Sequence, residues 1–86
     1  MRHLEQAPDL NRLLEISQIG GVYYFRYSDP RVRNQRERWI RNVLHDAGVK
    51  AQVDKVRQPG TTSYLLRVNI GPIVLPKIAE EDIYRG

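Results

Sequence analysis

Six arginines, Arg26, Arg31, Arg33, Arg36, Arg38 and Arg41, crowd into one short stretch of the chain. Each carries a planar, permanently charged fork that pairs with carboxylate or phosphate and stacks on flat rings. Arg31, Asn34, Arg38, Arg41 and His45 follow one another at spacings of three and four, which places them on one stripe of a helix. Such a stripe can track phosphates, because every Arg contact releases condensed counterions. The same residues can equally be a solvated face laced by Arg33–Glu37 and Glu37–Arg41 pairs at i, i+4. Asp29, at the start of that helix, works against an anion bound there. The candidate residues for an anionic ligand are Arg31, Arg33, Arg38 and Arg41.

Tyr23, Tyr24, Phe25 and Tyr27 form a second constellation, on a single stretch that reads as a strand. Alternation puts Tyr23, Phe25 and Tyr27 on one face and Tyr24 with Val22 and Arg26 on the other. If the first set faces the helices, Tyr24 and Arg26 share an open sheet face with Gln52, Leu65, Arg67 and Asn69. A platform of Tyr24, Arg26, Gln52, Arg67 and Asn69 could stack a base or a sugar ring. It could also be an ordinary sheet surface, since aromatics favour strands in any case.

Catalytic chemistry has little footing. His3 and His45 are the only histidines, cysteine is absent, and Ser17, Ser28 and Ser63 lack the context of a nucleophile elbow. No spacing of metal ligands occurs, and Glu80-Glu81-Asp82 reads as a solvated acidic run. The chain is expected to be no enzyme, with no metal and no cofactor.

The elements that position these residues follow from periodicity. A leading helix is predicted from about Pro8 to Ser17, with Leu10, Leu13 and Leu14 as its apolar stripe, stopped by Gly20-Gly21. A strand over 22–27 leads to Ser28-Asp29-Pro30, a cap followed by proline, and then a helix to Ala47 with Gly48 beyond it. The apolar side of that helix is Val32, Trp39, Ile40, Val43, Leu44 and Ala47. Alternation predicts strands over 49–56 and 64–70, joined by a turn at Gln58-Pro59-Gly60-Thr61. A short helix is predicted from Pro76 to about Tyr84. The expected order is α-β-α-β-β-(short α), a two-layer α+β sandwich with helices on one sheet face, resembling half of a ferredoxin or RNP fold.

The 86 residues allow one domain: a leading helix over 1–19, a βαββ core over 20–73, and a short helix or tail over 74–86. A hydrophobic content of 41% is too high for a disordered tail. The net charge of +4 is unevenly spread, with +6 between Arg26 and Arg67 and −1 on each flank. Arg2, Glu5, Asp9, Arg12 and Glu15 interrupt any apolar leader, and Val22–Phe25 is the longest uninterrupted apolar run. No membrane insertion is expected. The compartment expected from the chain as written is the cytoplasm.

Ala47-Gly48-Val49-Lys50-Ala51 and Arg67-Val68-Asn69-Ile70-Gly71-Pro72, with Val22–Phe25 ahead of them, resemble the SPOR domain. In that family an aromatic strand leads to a helix, an "AG-x-x-A" exit, and a strand ending in "RV-x-x-GP". The likeness covers residues 22–73. It implies a cell-division module that docks peptidoglycan glycan strands on its sheet, works in the periplasm, and uses Tyr24, Arg26, Arg67 and Asn69 as contacts. The helix, "G-V", strand, turn, strand rhythm is also similar to a half-domain of the LAGLIDADG homing endonucleases, without their acidic metal-binding motif. Three partners stay open at this point: a glycan polymer, a nucleic acid, or another protein for which the chain is an inhibitor or assembly subunit.

Overall fold

A computed structural model describes residues 3–57, 64–72 and 74–76. Its order is β1 (His3–Gln6), α1 (Leu10–Ile19), β2 (Gly21–Tyr27), α2 (Pro30–Asp46), β3 (Ala51–Arg57) and β4 (Tyr64–Ile70). The α+β class therefore stands, whereas the expected element order does not. A strand, β1, precedes the leading helix and pairs in parallel with β2, His3 opposite Tyr23 and Gln6 opposite Arg26. Four residues rich in polar groups carry no alternation long enough to read as a strand; their partner, not their propensity, makes them one. The turn at 58–61 and most of the C-terminal helix expected from Pro76 to Tyr84 lie outside the described residues.

The sheet order is β1-β2-β4-β3. β4 runs antiparallel to both β2 and β3 and lies between them. β2, α2, β3 and β4 thus form a split βαβ unit. The fourth strand of the sheet departs from the expected ferredoxin-like layout, because it comes first in the chain and runs parallel to its neighbour.

Capping explains where the helices begin. Asp9 is the N-cap of α1, and its carboxylate accepts the Arg12 backbone N–H at 2.8 Å. Asp29 caps α2 in the same way through the Arg31 N–H at 2.8 Å, with Pro30 pre-set in the first turn. α1 consequently starts two residues later than expected. At its other end, Gly20 and Gly21 take φ of 78° and 108° to swing the chain from helix to strand, a region that side-chain-bearing residues avoid.

Both helices pack on one sheet face. Leu13 and Ile16 of α1 and Ile40 and Leu44 of α2 meet Tyr23, Phe25, Tyr27, Val53, Leu66, Val68 and Ile70, with Trp39, Val43 and Val49 at the margin. Full burial of each Leu, Ile or Phe among them contributes about 1.5–3 kcal/mol. The expected α1 stripe is corrected here: Leu13 and Ile16 enter the core, while Leu10 and Leu14 stay exposed. Val32 and Ala47 likewise lie outside the core, so α2 is anchored by its C-terminal half. A bidentate pair from Arg12 to Glu5, at 2.6 and 2.8 Å, ties α1 to β1.

Candidate functional site

The other sheet face carries the even-numbered residues of β2 and β3 and the odd-numbered residues of β4. Register aligns Tyr24 with Arg67, Arg67 with Asp54, Gln52 with Asn69, and Arg26 with Leu65. The structure thus brings Tyr24, Arg26, Gln52, Arg67 and Asn69 to one face. It also shows that this face is not open. Tyr24 is 5% exposed, Arg67 2% and Asn69 6%. Tyr24, Val56 and Leu65 form a second, smaller apolar cluster there, with Val22 against it.

Part of the cover is the chain itself, which returns beyond Gly71-Pro72 and crosses the face at Leu75 and Pro76. The Gln52 carboxamide grips Leu75 from both sides: its Oε1 accepts the Leu75 N–H at 2.8 Å and its Nε2 donates to the Leu75 C=O at 2.8 Å. Nε2 also donates to Asp54 Oδ2 at 3.1 Å, and Asn69 Nδ2 reaches Oε1 at 3.4 Å. All four hydrogen-bonding positions of the carboxamide are then filled. Arg67 Nη2 donates to Asp54 Oδ2 at 2.5 Å and to the Pro76 C=O at 2.9 Å. What this arrangement does chemically is hold an extended backbone by its own N–H and C=O groups, as a neighbouring strand would. Arg26 stands at the far end of the face, half-buried, with its Nε buried and without a partner among the described residues.

Sequence reasoning missed two parts of this site. Asp54 shares parity with Gln52, and a matched β3–β4 register sets it opposite Arg67; alternation alone had the signal, but the pairing needed the turn length. The return of residues 75 and 76 over the face had no signal in periodicity, because the side chains of Gln52 on β3 and Arg67 on β4 hold their backbone.

The arginine stripe on α2 divides in two. Arg33 lies with its guanidinium 5.3 Å from the centroid of the Tyr64 ring. Arg41 Nη2 donates to the Val53 C=O at 2.6 Å, on the strand at the sheet's edge. Glu37 sits between Arg41, at 3.5 Å, and Lys55, at 3.7 Å, whereas Arg33 turns to Tyr64 in place of the expected pair with Glu37. Arg36 lies 4.9 Å from the Trp39 ring centroid. Two of the four stripe residues therefore fasten α2 to the sheet, which corrects the expectation of one continuous anion-facing row. Arg31 and Arg38 remain exposed and make no side-chain ion pair among the described residues. At i, i+7 they are about 10.5 Å apart along the helix.

One tyrosine stands out electrostatically. Tyr27 is buried and its hydroxyl has no partner among the described residues. Burial raises its pKa above the ordinary value, and the nearby Arg36 charge offsets part of that rise.

Among the described residues no helix is long and apolar enough to cross a membrane, and no group of three or more His, Asp or Glu side chains stands close enough to hold a metal ion. No family model, curated protein or solved structure matches the chain.

Proposed function

We propose that the protein is a non-enzymatic binding module whose sheet face takes an extended, chain-like ligand. One observation carries this reading: the face bearing Gln52, Arg67 and Asn69 already holds an extended segment, gripping the Leu75 amide in both directions and the Pro76 carbonyl once. Side chains that read backbone groups in this way suit a polypeptide strand and favour a protein-interaction role. The glycan strand implied by the SPOR likeness would need Tyr24, Arg67 and Asn69 uncovered. Docking at these residues requires the 75–76 segment to leave first.

A second reading places nucleic acid along α2, favoured by the exposed pair Arg31 and Arg38. Amide chemical shifts of the ¹⁵N-labelled chain separate the two. Titration with a peptide copying residues 73–79, or with glycan strands stripped of stem peptides, should move Gln52, Asp54, Arg67 and Asn69. Titration with a DNA or RNA oligomer that moves only α2, and weakens steeply with salt, transfers recognition to the helix. Shifts at neither place would remove the binding-module reading.

A further inference from the structure

Resting on that reading of the sheet face, we propose that Leu75 and Pro76 are an internal stand-in for a partner strand, and that the partner is an extended peptide with acidic side chains at alternate positions. The internal segment leaves two guanidinium groups on this face unmatched. Arg67 is among the most deeply buried of the described side chains, yet its Nε has no hydrogen-bond partner among the described residues. Its Nη2 does the pairing, to Asp54 and to the Pro76 carbonyl. A guanidinium edge presents two parallel N–H groups that match the two oxygens of a carboxylate, and a single carbonyl oxygen cannot meet both.

Arg26 repeats the pattern. Its Nε is buried and without a partner among the described residues too, and it lies on the same face. Arg26 is opposite Leu65, so Arg67 is its diagonal neighbour across the β2–β4 ladder, at a Cα spacing of roughly 7–8 Å. Alternate side chains of an extended strand are about 6.6 Å apart. Two carboxylates at i and i+2 therefore match the two arginines, while the Gln52 carboxamide reads the backbone before them.

The internal segment is also lightly held. Its described hydrogen bonds to the face come from Gln52 and Arg67, and Val74 is 79% exposed. It departs from β4 through Gly71, at φ 146°, whose N–H donates to the Lys50 C=O at 2.9 Å, so release of the segment begins beyond that bond. An acidic strand that satisfies both arginines competes with a segment that satisfies neither fork.

The test uses the full chain and three labelled heptapeptides followed by fluorescence anisotropy. One copies residues 73–79, one carries Glu in place of Pro76 and Ile78, and one carries Gln at those two positions. The Glu peptide should bind at least tenfold more tightly than the Gln peptide. Arg26→Gln in the protein should bring the two within about threefold. Leu75→Pro in the protein removes the N–H that Gln52 accepts, and should tighten binding of the Glu peptide about tenfold by weakening the internal competitor. An Arg31→Gln/Arg38→Gln variant should keep the preference; its loss there would assign the preference to general attraction by α2 and overturn the proposal. Equal binding of the Glu and Gln peptides would overturn the acidic specificity and leave the chain-binding reading intact. Failure of all three peptides to bind the Leu75→Pro variant at 1 mM, a concentration of the order reached by short tethers, would overturn both.

Discussion

Replacing Asp54 by alanine strands the Arg67 guanidinium where water does not reach. Arg67 is 2% exposed and loses its only charged hydrogen-bonding partner among the described residues, which stands at 2.5 Å. Removing one member of a buried pair costs about 3–5 kcal/mol. Two facts set the lower end of that range: the Pro76 carbonyl still accepts from Nη2, and Asp54 itself keeps some contact with solvent. A loss of about 3 kcal/mol is large beside a total stability of roughly 4–13 kcal/mol for a domain of this length. With a urea m-value near the small-protein limit of about 1 kcal/mol/M, the unfolding midpoint should fall by roughly 2–3 M. Circular dichroism at 222 nm reads it. The double variant Asp54→Leu/Arg67→Met should recover most of the loss, because it removes the buried charge together with its partner. A single variant that loses less than about 1 kcal/mol, or a double variant no more stable than the single, would refute the assignment of Arg67 as a buried charge dependent on Asp54.

Tyr27→Phe deletes a buried hydroxyl that has no partner among the described residues, so at pH 7 it should be neutral or stabilising by about 1 kcal/mol. The unfolded chain releases the Tyr27 proton near the ordinary pKa of about 10, the folded chain only at higher pH. Stability should therefore fall as pH rises through and above that value, and the Phe variant should show a shallower fall in urea titrations at pH 9.5–11.5. Asp29→Ala removes the carboxylate that caps α2 and should cost about 1 kcal/mol. A thermal melt should register that loss as a drop of about 4–8 °C. Arg12→Ala unties α1 from Glu5, and hydrogen exchange should show faster exchange of the β1 amides with little change in β4.

Elements with a local signature were legible in the sequence. β4 is read correctly over 64–70, since Leu66, Val68 and Ile70 alternate without interruption and Gly71-Pro72 closes the run. α2 is bounded by Asp29-Pro30 on one side and Gly48 on the other, both acting within one turn. The split of β2, with Tyr23, Phe25 and Tyr27 towards the helices and Tyr24 and Arg26 away, is also seen in the core. What escaped was non-local. His3–Gln6 is a strand because β2 offers an unpaired edge. Tyr24, Arg67 and Asn69 are buried although they lie on the face without helices. The local pattern carries no trace of this, because Asp54, Gln52 and the Pro76 carbonyl reach Arg67 and Asn69 from neighbouring elements.

The place of β4 in the sheet also bears on how a ribosome delivers this fold. β4 joins β2 to β3, yet it follows both in the chain. Until residue 70 has emerged, β2 lacks its antiparallel neighbour and β3 has no partner at all. At about 5–20 residues per second, β2 waits roughly 2–9 s and β3 roughly 1–3 s with a strand edge open. The parallel β1-α1-β2 unit can form early and shield one side of β2. Closure of the sheet must wait for its central strand, and the grip on Leu75 must wait longer still, because Gln52 and Arg67 become a single receptor only once β3 and β4 are side by side.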